Sequence, residues 1–318
     1  MAIKVQKFAF TVEELEEKMR LDAYLALQGL RRSVLGEPDT LILLNGKPAK
    51  KGKSVKTGDT LLITYTEEIF EGLVAEDIPL DVLYEDEELL AINKEQGMVV
   101  HPALGNHEGT VVNALLGRYG MDFSKLFLDE ESDSEDLEEA TLDSPLIRPG
   151  IVHRLDKDTS GTMVIARTSE AHRNLLAQFK AHTTTKTYIA LAKGNFSRVE
   201  GSIQNNIKRD VRNRKRFVTC SGEEGRTALT HYRVLRQFQG FALVRINIHT
   251  GRTHQIRVHL TSLGHPLIGD VIYGKEDGTT MMLHALQLEI DHPSKQERMT
   301  FRSPLPARFL QYVQGRRS

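Results

Sequence analysis

The period of the apolar residues changes twice in the first quarter of the chain. Across "TVEELEEKMRLDAYLALQGL" (11–30), Leu15, Met19, Leu21 and Leu25 recur at helical spacing, with Thr11 and Glu14 in capping-box order ahead of them. That pattern predicts one amphipathic helix, broken near Arg20. "TLILLNGKPAKKGKSVKTGDTLLITY" (40–65) then reads as two short strands, 41–44 and 60–65, with turn chemistry at Asn45-Gly46 and Gly58-Asp59. Between them lie Lys47, Lys50, Lys51, Lys53 and Lys56. Such density suits a phosphate-tracking surface and equally an ordinary solvated loop.

From residue 78 the runs become strand-like, beginning with "LDVLYEDEELLAINK". The change places a linker near 66–77, a small module at 1–77 and a main domain at 78–318. Within the main domain "GTMVIA" (161–166) has the unbroken apolar character of a buried strand. "SEAHRNLLAQFKAH" (169–182) predicts a helix with Ala171, Leu175, Leu176 and Phe179 along one face. The stretches 186–194, 225–238 and 240–251 read as successive strands bounded by glycines. Antiparallel strands with helices laid on them define an α+β sheet domain. No glycine-rich phosphate loop sits at a strand-to-helix junction, which leaves a nucleotide cofactor without support.

Composition alters this picture mainly through charge. The formal net charge is −1, yet residues 128–147, "LDEESDSEDLEEATLDSPLI", hold nine acids and no lysine or arginine. Without them 34 acids face 42 bases, so a body of formal charge +8 carries one acidic, low-complexity insertion of the kind that forms solvated loops. No apolar run approaches bilayer-spanning length and the opening residues lack a signal pattern, which argues against a membrane protein and for a cytoplasmic one. One cysteine, Cys220, excludes an internal disulfide framework and a multi-cysteine metal site.

Twelve histidines invite a metal, but His254 and His259 are five apart with no glutamate after the first, so the helical zinc pattern is absent. Ser160 and Cys220 lie in no recognisable nucleophile arrangement. Carboxylates are better placed. "IVHRLDKDTSG" (151–161) puts Asp156 and Asp158 between a strand end and a glycine turn, where a loop acid can face a cleft. Such an acid needs a basic partner to stay ionised. "TGRTHQIRVHLTSLGHPLIGD" (250–270) offers one: 253–263 predicts a helix ended by Gly264, on which Arg257 can share a face with His254. The bland alternative is a set of surface ion pairs. "IKRDVRNRKRF" (207–217) concentrates Lys208, Arg209, Arg212, Arg214, Lys215 and Arg216 beside Phe217, which suits RNA phosphates and unstacked bases or, equally, a solvated loop.

These residues carry a resemblance. "PGIVHRLDKDTSGTMVIART" is similar to the signature of the RluA-type pseudouridine synthases, and the likeness extends over about residues 79–305 through "VLYEDEELLAINKEQGMVVHP", "KTYIALAKG", "GRTHQIRVHLTSLGHPLIGDVIYG" and "LHALQLEIDHP". Residues 13–65 resemble a degenerate form of the small α-L RNA-binding module, with "RLDAYLALQGLRRSVLGE" shorter than the usual two-helix stretch. Two departures stand out: Lys94-Glu95 replaces the usual Lys-Pro, and the acidic insertion is atypical.

The resemblance implies a mostly antiparallel sheet of the pseudouridine synthase type and an RNA isomerase that needs no cofactor and no metal. It implies Asp156 as nucleophile, with Asp158 in support, Arg257 as its ion-pair partner, and Tyr188 as a ring that stacks on uracil and handles a proton. The RNA-contacting residues expected around them are His153, Arg154, Arg209, Arg212, Arg214, Lys215, Arg252 and His254. Arg154 is assigned to the stack vacated by a flipped nucleotide, and 208–216 to phosphates. The expected partner is structured RNA, first the large-subunit 23S ribosomal RNA and second transfer RNA, bound by a monomer. The rival readings are an RNA-binding ribosome assembly factor with a retired active site, which the intact Asp156, Tyr188 and Arg257 disfavour, and a carboxylate glycosidase, for which two acids on one loop make a poor case.

Overall fold

The computed structural model describes every residue except 1, 14, 16, 29, 31–34, 36–38, 70, 71, 104, 128–147, 214, 223, 296, 317 and 318. The acidic stretch 128–147 and Arg214 therefore lie outside the described residues. The chain divides between Gly72 and Leu73 into two compact units.

In the first unit, β1 (Ala2–Thr11), β2 (Met19–Arg20), α1 (Leu21–Leu27), β3 (Leu41–Leu44), β4 (Lys47–Pro48), β5 (Ser54–Val55) and β6 (Thr60–Ile69) follow in order. β1, β6, β3 and β4 form one sheet, and β2 pairs with β5. The helix expected from Thr11 starts instead at Leu21 and spans seven residues. Thr11 is the last residue of β1, paired with Thr60, and Glu14 lies outside the described residues. The opening residues alternate in the strand period, with Phe8 and Phe10 packed on the core and Lys7 and Ala9 exposed. Pairing with β6 along ten residues therefore decides their conformation, a non-local contact that no local period reports. Leu15 and Met19 still reach the core, from a loop and from β2, which is why their spacing mimics a helix. β6 also runs four residues past its expected end at 65. All five loop lysines are exposed.

The second unit opens with β7 (Val82–Glu85), β8 (Leu89–Lys94), α2 (Val111–Tyr119), the single turn α3 (Asp122–Lys125), β9 (Ser160–Ala166) and α4 (Ser169–Lys180). β10 (Thr185–Lys193), β11 (Glu200–Arg209), β12 (Phe217–Cys220), β13 (Arg226–Phe238) and β14 (Phe241–Ile248) follow. The unit closes with α5 (Gln255–Ser262), β15 (Leu283–Asp291), β16 (Arg298–Arg302) and α6 (Ala307–Gln314). The fold is α+β, as the sequence implies. Among the described residues ten of these strands form one sheet in the order β12-β11-β13-β14-β10-β15-β9-β8-β7, with β16 paired to β15. Every pairing is antiparallel except that of β9 with β15.

Strand alternation sorts the apolar residues onto the two faces. Leu90, Ile92, Met163, Ile165, Tyr188, Ala190, Val244 and Ile246 enter one core, capped by Val111, Val112, Leu115 and Leu116 of α2. Leu89, Ala91, Val164 and Ala166 enter another beneath Ala171, Leu175 and Phe179 of α4. β8 and β9 are covered on both sides, hence their unbroken apolar runs. At the parallel junction Gly161 has φ +121°, and a Cβ there would lie 2.2 Å from the Ala285 carbonyl oxygen. Only glycine allows the chain to leave the 152–159 loop and dock on β15 at that distance. Among the described residues no helix is long and apolar enough to cross a membrane.

Candidate active site

Asp156 sits on the loop that joins the Ile151–Ile165 bridge to β9. The loop is held from within and from outside. Thr159 donates its amide to the Asp156 carbonyl at 3.0 Å, and Leu155 is buried in the core. The segment after β8 grips the next two residues: Gly97 donates its amide to the Lys157 carbonyl at 2.8 Å, and Gln96 donates Nε2 to the Asp158 carbonyl at 2.8 Å. Lys94, 1% exposed, donates Nζ to the carbonyls of Glu95 and Met98 at 2.8 Å and of Lys157 at 3.3 Å. Burial lowers its ammonium to about 8 against the opposing pull of Asp156 and Asp158.

The second wall is the turn that opens α5. Gln255 fixes it, accepting at Oε1 from the Thr250 hydroxyl (2.7 Å) and the Arg252 amide (3.0 Å), and donating Nε2 to the Leu229 carbonyl and Thr230 hydroxyl, both at 3.0 Å. His254 caps the helix in the left-handed region, φ 57° and ψ 16°. Three residues on, Arg257 donates Nη1 to Asp156 Oδ2 at 3.1 Å, while His254 Nε2 stands 3.8 Å from the same oxygen. Arg257 also donates Nε and Nη2 to the two oxygens of Asp270 at 2.7 and 2.9 Å. Asp270, with no exposed side-chain surface, in turn accepts the amides of Ile272 (3.0 Å) and Tyr273 (3.1 Å).

Asp156 retains 21% side-chain exposure and lines an open cleft together with Arg154, Thr159, Tyr188, Arg252, His254 and Arg257. Burial would raise its carboxyl, but the neighbouring His254, Arg257 and Arg154 side chains and the hydrogen bond from Arg257 outweigh that and hold it below the usual carboxylate range. Burial also lowers His254, against the attraction of Asp156. An ionised, oriented carboxylate with an aromatic ring in the same cleft can act as a nucleophile or as a base toward a flat, uncharged ring system. Among the described residues no group of three or more His, Cys, Asp and Glu is arranged to hold a metal ion.

The expected residues fall into three groups. Asp156, Tyr188, Arg257, Arg154, Arg252 and His254 converge on the cleft. Arg209, Arg212 and Lys215 are exposed on the β11–β12 hairpin, whereas Lys208 is engaged by Glu224. His153 lies away from the cleft: its 5% exposed ring stacks on Phe179 at 4.7 Å, and Nε2 accepts the Val164 amide at 3.0 Å. Burial lowers it to about 3. Asp158 contributes its carbonyl to the loop clamp and lines no part of the cleft. Ser160 is bonded to His284 Nδ1 at 2.9 Å and receives Arg308 Nη2 in a buried network, and Cys220 donates Sγ to the Glu224 carbonyl at 2.7 Å. His259, fully buried, meets Thr230.

Lys94, Asp270 and Tyr273 were not found from sequence as site residues. Asp270 and Tyr273 stand in "GDVIYG" with no periodic relation to Arg257, so only the glycines that bound that run hint at a tight turn.

Two human proteins of known structure share this architecture. RNA pseudouridylate synthase domain containing 4 aligns with TM-score 0.55 at 23% identity, over 74% of this chain and 93% of its own. RNA pseudouridylate synthase domain containing 1 aligns with TM-score 0.53 at 25% identity, over 77% and 97%. The sequence profile of RNA pseudouridylate synthase matches residues 88–262. Ribosomal large subunit pseudouridine synthase D of Borreliella burgdorferi is 40% identical over 96% of this chain and 92% of its own. An uncharacterized RNA pseudouridine synthase of Bacillus subtilis is 36% identical over 96% and 97%, and the synthase D of Pseudomonas aeruginosa 36% over 86% and 82%. The chain belongs to the RNA pseudouridylate synthase family, in its RluA-type branch, and is an isomerase that acts on RNA.

Proposed function

We propose that Asp156 carries the isomerisation of uridine to pseudouridine in structured RNA, with large-subunit ribosomal RNA as the substrate. The observation that carries this reading is the Asp156 carboxylate, held at 3.1 Å by Arg257 in the cleft that Tyr188 lines. In the reaction the bond from C1′ to N1 breaks, the uracil turns, and a bond from C1′ to C5 forms; C5 loses a proton and N1 gains one. A carboxylate serves this by adding to the ribose or the base, or by removing a sugar proton. Each route needs it charged and aimed.

Arg257 keeps Asp156 in that state. Tyr188 offers its ring as a stacking face and its phenol for proton transfer at the base. Arg154 and Arg252 at the cleft, and Arg209, Arg212 and Lys215 on the hairpin, hold the backbone and offset the few kcal/mol that flipping a nucleotide costs. The first unit acts as a small RNA-binding module through its five exposed lysines. The names of the bacterial relatives favour ribosomal over transfer RNA. The protein works in the cytoplasm, as a monomer.

Tritium release from RNA whose uridines are tritiated at C5 tests the chemistry. Asp156→Asn should bind RNA as the wild type does and release no tritium above background; undiminished release refutes the assignment. Pseudouridine mapping of ribosomal and transfer RNA from cells with and without the protein tests the substrate.

A further inference from the structure

Tyr273 stands at the centre of a contact set that the proposed chemistry does not use. Its 8% exposed ring lies under two guanidinium groups, Arg257 at 5.1 Å and Arg216 at 5.2 Å. Its oxygen accepts the backbone amide of Phe217 at 2.8 Å and meets His254 Nδ1 at 2.9 Å. Phe217 is the first residue of β12, the return strand of the basic hairpin, and His254 is the residue beside Asp156.

These two contacts fix a proton. A phenolic oxygen has one proton to give and lone pairs to receive. The Phe217 amide can only donate, so it occupies a lone pair. If His254 Nδ1 also carried a proton, two N–H groups would converge on one oxygen, and the phenol proton would have no acceptor among the described residues. With the phenol donating to Nδ1, every group is satisfied. The imidazole proton then resides on Nε2, which faces Asp156 Oδ2 at 3.8 Å and lines the cleft.

The backbone supports a built arrangement. His254 occupies the left-handed region, which costs a side-chain-bearing residue free energy and persists where surrounding contacts impose it. His254 also packs edge-on against both Tyr273 and Phe217, each at 5.5 Å.

We propose that Tyr273 is a positioning residue: its hydroxyl, anchored on the hairpin through Phe217, locks His254 as the Nε2–H tautomer and so points a fixed N–H toward the Asp156 carboxylate and the space where the uridine would lie. Arg257 supplies the charge that keeps Asp156 ionised, and His254 supplies a neutral donor whose polarity cannot reverse. The anchor of that donor is a strand of the element proposed to hold RNA phosphates, so the hairpin fixes the cleft as well as the substrate. This inference rests on the reading that Asp156 carries the chemistry.

The test uses the full-length protein with its histidines labelled with nitrogen-15. The wild type should show His254, assigned by the signal lost in His254→Gln, as the Nε2–H tautomer. Tyr273→Phe keeps the ring over both guanidinium groups and removes only the hydroxyl. It should shift His254 to a mixture of tautomers and lower single-turnover tritium release from a tritiated large-subunit ribosomal RNA transcript about ten-fold, the loss of one hydrogen bond, with RNA affinity unchanged. A wild-type His254 in the Nδ1–H form, or a Tyr273→Phe protein with wild-type rate and tautomer, overturns the proposal. If Tyr273→Phe does not fold, the wild-type tautomer alone decides. Activity in Asp156→Asn would defeat the catalytic reading, while the tautomer result would stand.

Discussion

Arg257 gives Asp270 two of its nitrogens and Asp156 only one. The buried carboxylate thus sets the plane of the guanidinium, and Asp156 receives the group that remains. Asp270→Asn should therefore damage Asp156 without touching it. Removing one partner of a buried charge pair costs about 3 kcal/mol or more of stability, which urea unfolding will report. Single-turnover tritium release should fall at least about ten-fold at unchanged RNA affinity, since Arg257 is no longer held in plane. A rate equal to that of the wild type would show that Arg257 needs no second partner.

Arg154 is exposed at the rim of the same cleft. If it props the stack that a flipped nucleotide leaves, Arg154→Ala should slow turnover on structured RNA by about ten-fold or more while sparing a short unpaired substrate, because only the former must unstack. Equal losses on both would refute the assignment.

The hairpin residues Arg209, Arg212 and Lys215 are exposed, and Arg209 lies 5.0 Å over the Phe217 ring. Replacing all three with alanine should weaken RNA binding regardless of sequence and reduce the salt dependence of log affinity by about 0.7 to 0.9 per lost phosphate contact. Filter binding across a salt series measures this, and an unchanged slope would place the phosphates elsewhere.

Lys94 carries a pH dependence of defined sign. Its folded-state value of about 8 lies below the unfolded one of about 10.5, so the unfolded chain holds more protons between those limits. Stability should rise with pH across that window, and the cost of the buried ammonium is fully present below it. Lys94→Met should remove this part of the slope in urea unfolding between pH 7 and 10. An identical slope in both proteins would mean that the ammonium is not depressed by burial.

The strands of the second unit could be read because burial on both faces leaves unbroken apolar runs, as at Leu89–Lys94 and Ser160–Ala166. Asp156, Tyr188 and Arg257 could be singled out because their surroundings resemble known motifs, and the structure brings the three to one cleft. What was not legible depends on partners far away in the chain. β1 is a strand because of β6, and Lys94 grips a carbonyl 63 residues on. His153 lies away from the cleft for the opposite reason. It is three residues from Asp156, but the loop turns its ring under β9 toward Phe179, and adjacency in sequence says nothing of direction.

Tyr188 lies in a strand paired on both sides, by β14 and by β15, and Asp270 beneath Arg257 is wholly enclosed. Both side chains are thus placed by the fold before any RNA arrives. On the reading that Asp156 acts on a flipped nucleotide, uridines that leave their helix cheaply, at bulges, mismatches and loop closings, should be converted fastest, since less of the binding free energy is spent on unstacking them.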